Sequence, residues 1–175
     1  MKDITDYLEK EQVDCMMAAA KTCNLRDYLM LRTLWRTGCR VSELLNIKPS
    51  DLEIHNQVVN ITKAKGNKQL RVLLDDETLK LLSEYISMKN IPEDRHIFSI
   101  KRCQVHTIVK EYGKMVGVDI HPHTFRHSFA IHLVRSGLDL RRVQQLLGHS
   151  NLNTTQVYLQ FNDQDLREGY NKVEF

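Results

Sequence analysis

A chain of 175 residues, 42% hydrophobic and 27% charged, with 7 glycines and 3 prolines, has the balance of one globular domain, which excludes low-complexity and collagen-like organisation and argues against a multidomain enzyme. No apolar run approaches the roughly 20 residues needed to cross a bilayer, and Met1 opens into Lys2, Asp3 and Asp6, so no membrane partner is expected and the expected location is the cytoplasm. A net charge of +3 is too small by itself to announce a polyanionic partner.

In chain order, Glu9 to Thr22 and Leu25 to Thr37 read as helices, the second with Tyr28, Leu29, Leu31, Leu34 and Trp35 on one broad apolar face. Gly38 supplies a break, Arg40 to Asn46 predicts a short third helix with Leu44 and Leu45 inward, and Pro49, Ser50 and Asp51 mark a turn. The period then changes to two: Val58, Val59 and Ile61 stand against Leu70, Val72 and Leu74 around Lys65-Gly66-Asn67-Lys68, a hairpin with a basic tip. Helices resume over Asp76 to Lys89 and Gln104 to Val116, then over Thr124 to Arg135 after Pro122. Asp139 caps a helix that ends at Gly148, a short helix carries Tyr158, and a last one is expected from Asp163 to Tyr170. The fold class is therefore mainly α with a small antiparallel hairpin sheet.

Charge is distributed unevenly along this outline. Lys63, Lys65, Lys68 and Arg71 form a run without an acid, Lys101, Arg102, Lys110 and Lys114 meet only Glu111, and the stretch from His121 to His149 holds four arginines and five histidines against Asp139. After Asn162 the sign turns with Asp163, Asp165, Glu168 and Glu174. Any one such run is ordinarily a solvated face; together they describe a positive surface with an acidic tail. Cys15, Cys23, Cys39 and Cys103 contain no C-x-x-C pair, which argues against both a disulfide framework and a structural zinc site.

The chemistry concentrates around His123-Thr124-Phe125-Arg126. At a helix start, residues three apart project from one side, so His123 and Arg126 flank the apolar stripe of Phe125, Phe129, Ala130, Leu133 and Val134 and can point into a cleft. Alone, such a pair is commonly a surface feature. His123 and His127 at i and i+4, with His121 and His132 nearby, also permit a metal reading, but no carboxylate or cysteine joins them and Arg126 would place a fixed positive charge beside the cation. Leu147-Gly148-His149-Ser150 and Tyr158 are likewise unremarkable singly.

The ordered set is not. Thr37-Gly38-Cys39-Arg40-Val41-Ser42-Glu43-Leu44-Leu45, then Lys65-Gly66-Asn67-Lys68 on a hairpin, His123-x-x-Arg126-His127, Leu147-Gly148-His149-Ser150 and Tyr158 together resemble the tyrosine recombinase family, of the integrase or Xer-like kind, from about residue 9 to residue 160. The resemblance implies cutting and rejoining of DNA through a covalent 3′-phosphotyrosine. It makes Tyr158 the nucleophile, Arg40 and Arg126 the phosphate clamp, His123 and His149 the supporting histidines, Lys65 the general acid and Glu43 the group that orients the site. Lys63, Lys68 and Arg71 are the expected DNA contacts around the hairpin.

These residue types suit the tasks. The five-coordinate transition state of a phosphodiester gathers negative charge that two guanidiniums answer without losing protons. A tyrosine of pKa about 10 needs a cationic pocket and a nearby base to become a nucleophile at neutral pH. A lysine on a basic hairpin can protonate the departing 5′ oxygen. No nucleotide cofactor or metal ion is expected, since the sequence has no Walker loop or acidic metal cluster.

The expected organisation is a catalytic domain over 1–162 and a C-terminal tail over 163–175, in which Leu166, Tyr170, Val173 and Phe175 give apolar grip for docking in cis or in trans. About eight residues precede the first helix, so the extra N-terminal DNA-gripping domain common in the family is expected to be absent. Cys39 stands where the family usually has an aliphatic residue and is expected to act as a small buried hydrophobe. The expected partners are double-stranded DNA and further protomers, four on DNA and one when free. The function implied is site-specific recombination, by integration and excision or by dimer resolution. Alternatives are DNA relaxation of the type IB topoisomerase kind, or a DNA-binding fragment inactive on its own.

Overall fold

A computed structural model describes residues 7–62 and 69–147. The hairpin tip with Lys63, Lys65 and Lys68, the segment with His149 and Tyr158, and the helix expected over Asp163 to Tyr170 lie outside the described residues. Chain order is α1 (Lys10–Cys23), α2 (Leu25–Thr37), α3 (Val41–Leu44), β1 (Leu52–Glu53), β2 (Val58–Thr62), β3 (Gln69–Leu73), α4 (Asp76–Lys89), α5 (Arg102–Met115), α6 (Pro122–Arg135) and α7 (Leu140–Leu147). Among the described residues no helix is long and apolar enough to cross a membrane.

Helix α2 is the central element. Tyr28, Leu29, Met30, Leu31 and Leu34 are buried almost all round it, and α1, α4 and α6 pack on it. Its ends are specified locally: the Asn24 side chain accepts the Asp27 N–H at 3.3 Å, and Gly38 closes the helix in the left-handed conformation at φ 61. Arg32 fastens α2 to the start of α4, donating to Thr78 Oγ1 (2.7 Å), Asp75 (3.2 Å), Glu77 (2.6 Å) and the Tyr28 hydroxyl (2.9 Å).

The sheet is antiparallel, in the order β1-β2-β3, with Val59 opposite Val72 and Ile61 opposite Leu70. Val59, Ile61, Val72 and the adjacent Leu74 face the main core. Sequence periodicity shows only the hairpin; the two-residue strand β1 pairs Leu52 with Val59 and is too short to leave a period. The third helix is also shorter than its apolar pattern suggests, four residues instead of seven. Leu45 and Ile47 continue beyond it as loop, where the Ile47 carbonyl accepts the Ile97 N–H at 2.9 Å.

Two helices start earlier than hydrophobic periodicity indicates, because the fourth residue of the turn caps the first. Gln104 Oε1 accepts the Lys101 N–H at 2.8 Å, which opens α5 at Arg102. Thr124 Oγ1 accepts the His121 N–H at 3.3 Å, which opens α6 at Pro122, a position where proline's missing N–H costs nothing. Beyond α6 the packing changes owner: Ala130, Ile131, Val134, Val143 and Leu147 form a second, smaller cluster that holds α7, with Tyr7 and Phe129 against it. Helix α6 thus stands between two cores.

Candidate active site

Two arginines remote in sequence meet beside Gly38. Arg126, 6% exposed, reaches from the first turns of α6 to donate from Nη1 to the Gly38 carbonyl at 2.6 Å and from Nη2 to the Leu147 carbonyl at 2.8 Å. Arg40 begins the turn that follows Gly38. Its backbone N–H donates to Glu43 Oε2 at 2.7 Å and its Nη1 to Glu43 Oε1 at 2.8 Å. Glu43 is 4% exposed, whereas the Arg40 side chain is 43% exposed. The buried carboxylate therefore fixes a guanidinium whose outer face is open to solvent or ligand.

These groups border a cleft of about 150 Å³ lined by Cys39, Arg40, Val41, Ser42, Arg102, His106, Pro122, His123 and Arg126. The sequence-derived residues Arg40, His123 and Arg126 come together here, with Glu43 behind Arg40. Arg102, read from the sequence only as part of a basic run, joins them, as does His106, which the sequence does not single out. The sequence contained a weak signal for this: residues four apart on one helix share a face, and Val105, Ile108, Val109 and Tyr112 claim the opposite, buried face of α5. A larger hollow of about 570 Å³, bordered by Arg26, Tyr85, Lys89 and Arg95, holds none of the expected site residues.

Among the described residues no carboxylate lines the cleft, and its electrostatics there are one-sided. Burial holds the pKa of His123 below the usual imidazole value, and His121, Arg126, Arg40 and Arg102 add to the effect. At neutral pH His123 is therefore a neutral ring able to accept a proton. Burial, His123, His121 and Arg126 lower His127 in the same way. The Cys39 thiol, buried and pushed up to about 12 mainly by desolvation, behaves as the expected small hydrophobe.

Other candidates separate from the site. His132 donates from Nε2 to the Leu8 carbonyl at 2.9 Å and packs edge-on to Trp35 with ring centroids 5.1 Å apart, a structural use that removes it from the metal reading. The rings of His121, His123 and His127 are spaced by 6.4 Å from one to the next. Among the described residues no three His, Cys, Asp or Glu side chains gather as metal ligands. Arg71, on β3, pairs with Glu53 at 2.8 Å while its side chain stays 62% exposed.

The family model described as phage integrase family matches residues 6–165. The chain belongs to the phage integrase family. It is 42% identical over 177 residues to a tyrosine recombinase of Pseudothermotoga lettingae, an alignment covering 97% of this chain and 61% of that protein. Among solved structures, a XerA recombinase superposes with a TM-score of 0.84 at 30% identity, over 97% of this chain and 66% of that one. XerH site-specific recombinase bound to difH substrate in a pre-cleavage complex gives 0.78 at 26% identity, over 88% of this chain and 50% of that one. The chain thus spans about three-fifths of the length of the curated relatives it matches. Its mainly helical fold with a small antiparallel sheet is that of tyrosine recombinase catalytic domains.

Proposed function

We propose that this chain is the catalytic part of a site-specific DNA recombinase, acting in the cytoplasm on double-stranded DNA, with residues 1–162 as the catalytic domain and 163–175 as a docking tail. The observation that carries the reading is the meeting of Arg40, His123 and Arg126 around one cleft, in a chain of this family. The pre-cleavage complex of the similar XerH protein with its difH substrate supports DNA as the ligand.

In the proposed reaction the Tyr158 hydroxyl oxygen attacks the scissile phosphorus. The bond from phosphorus to the 5′ oxygen breaks, leaving a 3′-phosphotyrosine and a free 5′ hydroxyl. Arg40 and Arg126 compensate the charge that builds on the nonbridging oxygens. His123, held neutral, takes the tyrosine proton, His149 supports the phosphate, and Lys65 supplies a proton to the 5′ oxygen. Lys63, Lys68 and Arg71 hold the flanking backbone. Because one ester is exchanged for another, a 5′ hydroxyl can reverse the step without a nucleotide cofactor. Four protomers on two paired duplexes complete the exchange, and the free protein is a monomer.

A nicked suicide duplex tests this. Wild type is expected to accumulate a covalent protein-DNA adduct and Tyr158→Phe none; an adduct that persists in the variant would refute the assignment. Joining of strands from two different duplexes is the expected second outcome, and relaxation of a supercoiled circle without such joining would favour a topoisomerase.

A further inference from the structure

Helix α5 supplies a wall of the cleft that the family motifs do not name. Its buried stripe of Val105, Ile108, Val109 and Tyr112 is complete without His106, so the imidazole is not needed to fill the core. His106 lies one turn beyond Arg102, half-buried, on the lining of the cleft shared with Arg40, His123 and Arg126. Arg40 is held by Glu43 and Arg126 by two carbonyls. His106 by contrast makes no hydrogen bond among the described residues, so its ring nitrogens are available to a ligand. With three guanidiniums and no carboxylate on the lining among the described residues, the ligand this wall suits is an anion.

We propose that His106 is a further substrate-contacting residue, donating an imidazole N–H to an oxygen of the phosphodiester held in the cleft. This rests on the recombinase reading given above. Burial, the Arg102 guanidinium and His121 hold the His106 pKa below the usual imidazole value, so the ring at neutral pH is a neutral donor. Its contribution is one of direction: it adds an aimed N–H where a fourth fixed charge would be repelled by the three already present.

Single-turnover cleavage of a nicked suicide duplex at saturating protein, by wild type, His106→Ala and His106→Gln, tests the proposal. The alanine variant is expected to cleave roughly ten- to a hundredfold more slowly, the loss of one hydrogen bond to a charged group. The glutamine variant, which keeps an N–H donor, is expected within a few-fold of wild type. In the Tyr158→Phe protein, adding the uncleaved duplex should move the His106 imidazole proton resonances. An alanine variant that cleaves at the wild-type rate, or a glutamine variant as slow as alanine, overturns the donor role. Should the alanine variant unfold, the glutamine rate and the resonance decide. If wild type itself forms no adduct, the recombinase reading has failed and the resonance alone decides, an unmoved signal overturning the contact.

Discussion

Glu43 is buried while the arginine it serves is half in water, and that asymmetry separates the two residues' roles. The arginine end of the pair lies in water, which screens the pair's contribution to folding. Losing the carboxylate lets the Arg40 fork swing away from the geometry that its proposed phosphate contact requires. Glu43→Gln keeps the size and one acceptor but not the charge, so it is expected to slow suicide-substrate cleavage roughly ten- to a hundredfold, as a displacement of about 1 Å can, with a nearly unchanged thermal midpoint. A midpoint that falls in step with the rate would make Glu43 a folding residue instead. The residue scale is also where the sequence was most legible. Arg40, Glu43, His123 and Arg126 were readable because each sits at a fixed spacing within one local segment. His106 was not, because its place on the cleft depends on how α5 rolls against the core, and a lone histidine on a half-polar helix carries no spacing of its own.

Between elements, Gly38 is the tightest joint. Its positive φ ends α2, its carbonyl receives Arg126, and a Cβ there would overlap the Phe129 ring and lie 3.1 Å from Leu147 Cδ2. Gly38→Ala combines left-handed strain with overpacking and is expected to destabilise the fold by roughly 2–4 kcal/mol in urea unfolding, with cleavage impaired through Arg126. A change under about 0.5 kcal/mol, the usual range for an unimportant surface site, would show that α6 can retreat freely. Helices α1, α2 and α4 were legible nearly to their ends because long apolar faces set them. The starts of α5 and α6 were not, since side-chain capping by Gln104 and Thr124 decides them. Strand β1 escaped because two residues cannot show a period.

At the scale of the whole molecule, the histidines give the fold a pH dependence of definite sign. His106, His123 and His127 all have native pKa values below the usual imidazole value, with burial the first cause in each. The unfolded chain then binds more protons than the native one between the lowered values and the ordinary value of about 6.5. Stability from these groups is complete above that ordinary value and is lost as pH falls through the lowered native ones. The thermal midpoint is expected to drop as pH is taken from 7 to 5, and replacing His123 and His127 together by glutamine should flatten that slope; an unchanged slope would place its origin elsewhere. The two-core arrangement gives Arg126 a further meaning. One guanidinium spans to carbonyls 88 and 21 residues away in sequence, those of the residue that closes α2 and of the residue that closes α7. Positional error between those two segments therefore does not accumulate along the chain, because both are measured from the same origin. An Arg126 variant loses registration and charge together, and guanidinium ion added in solution could return only the second.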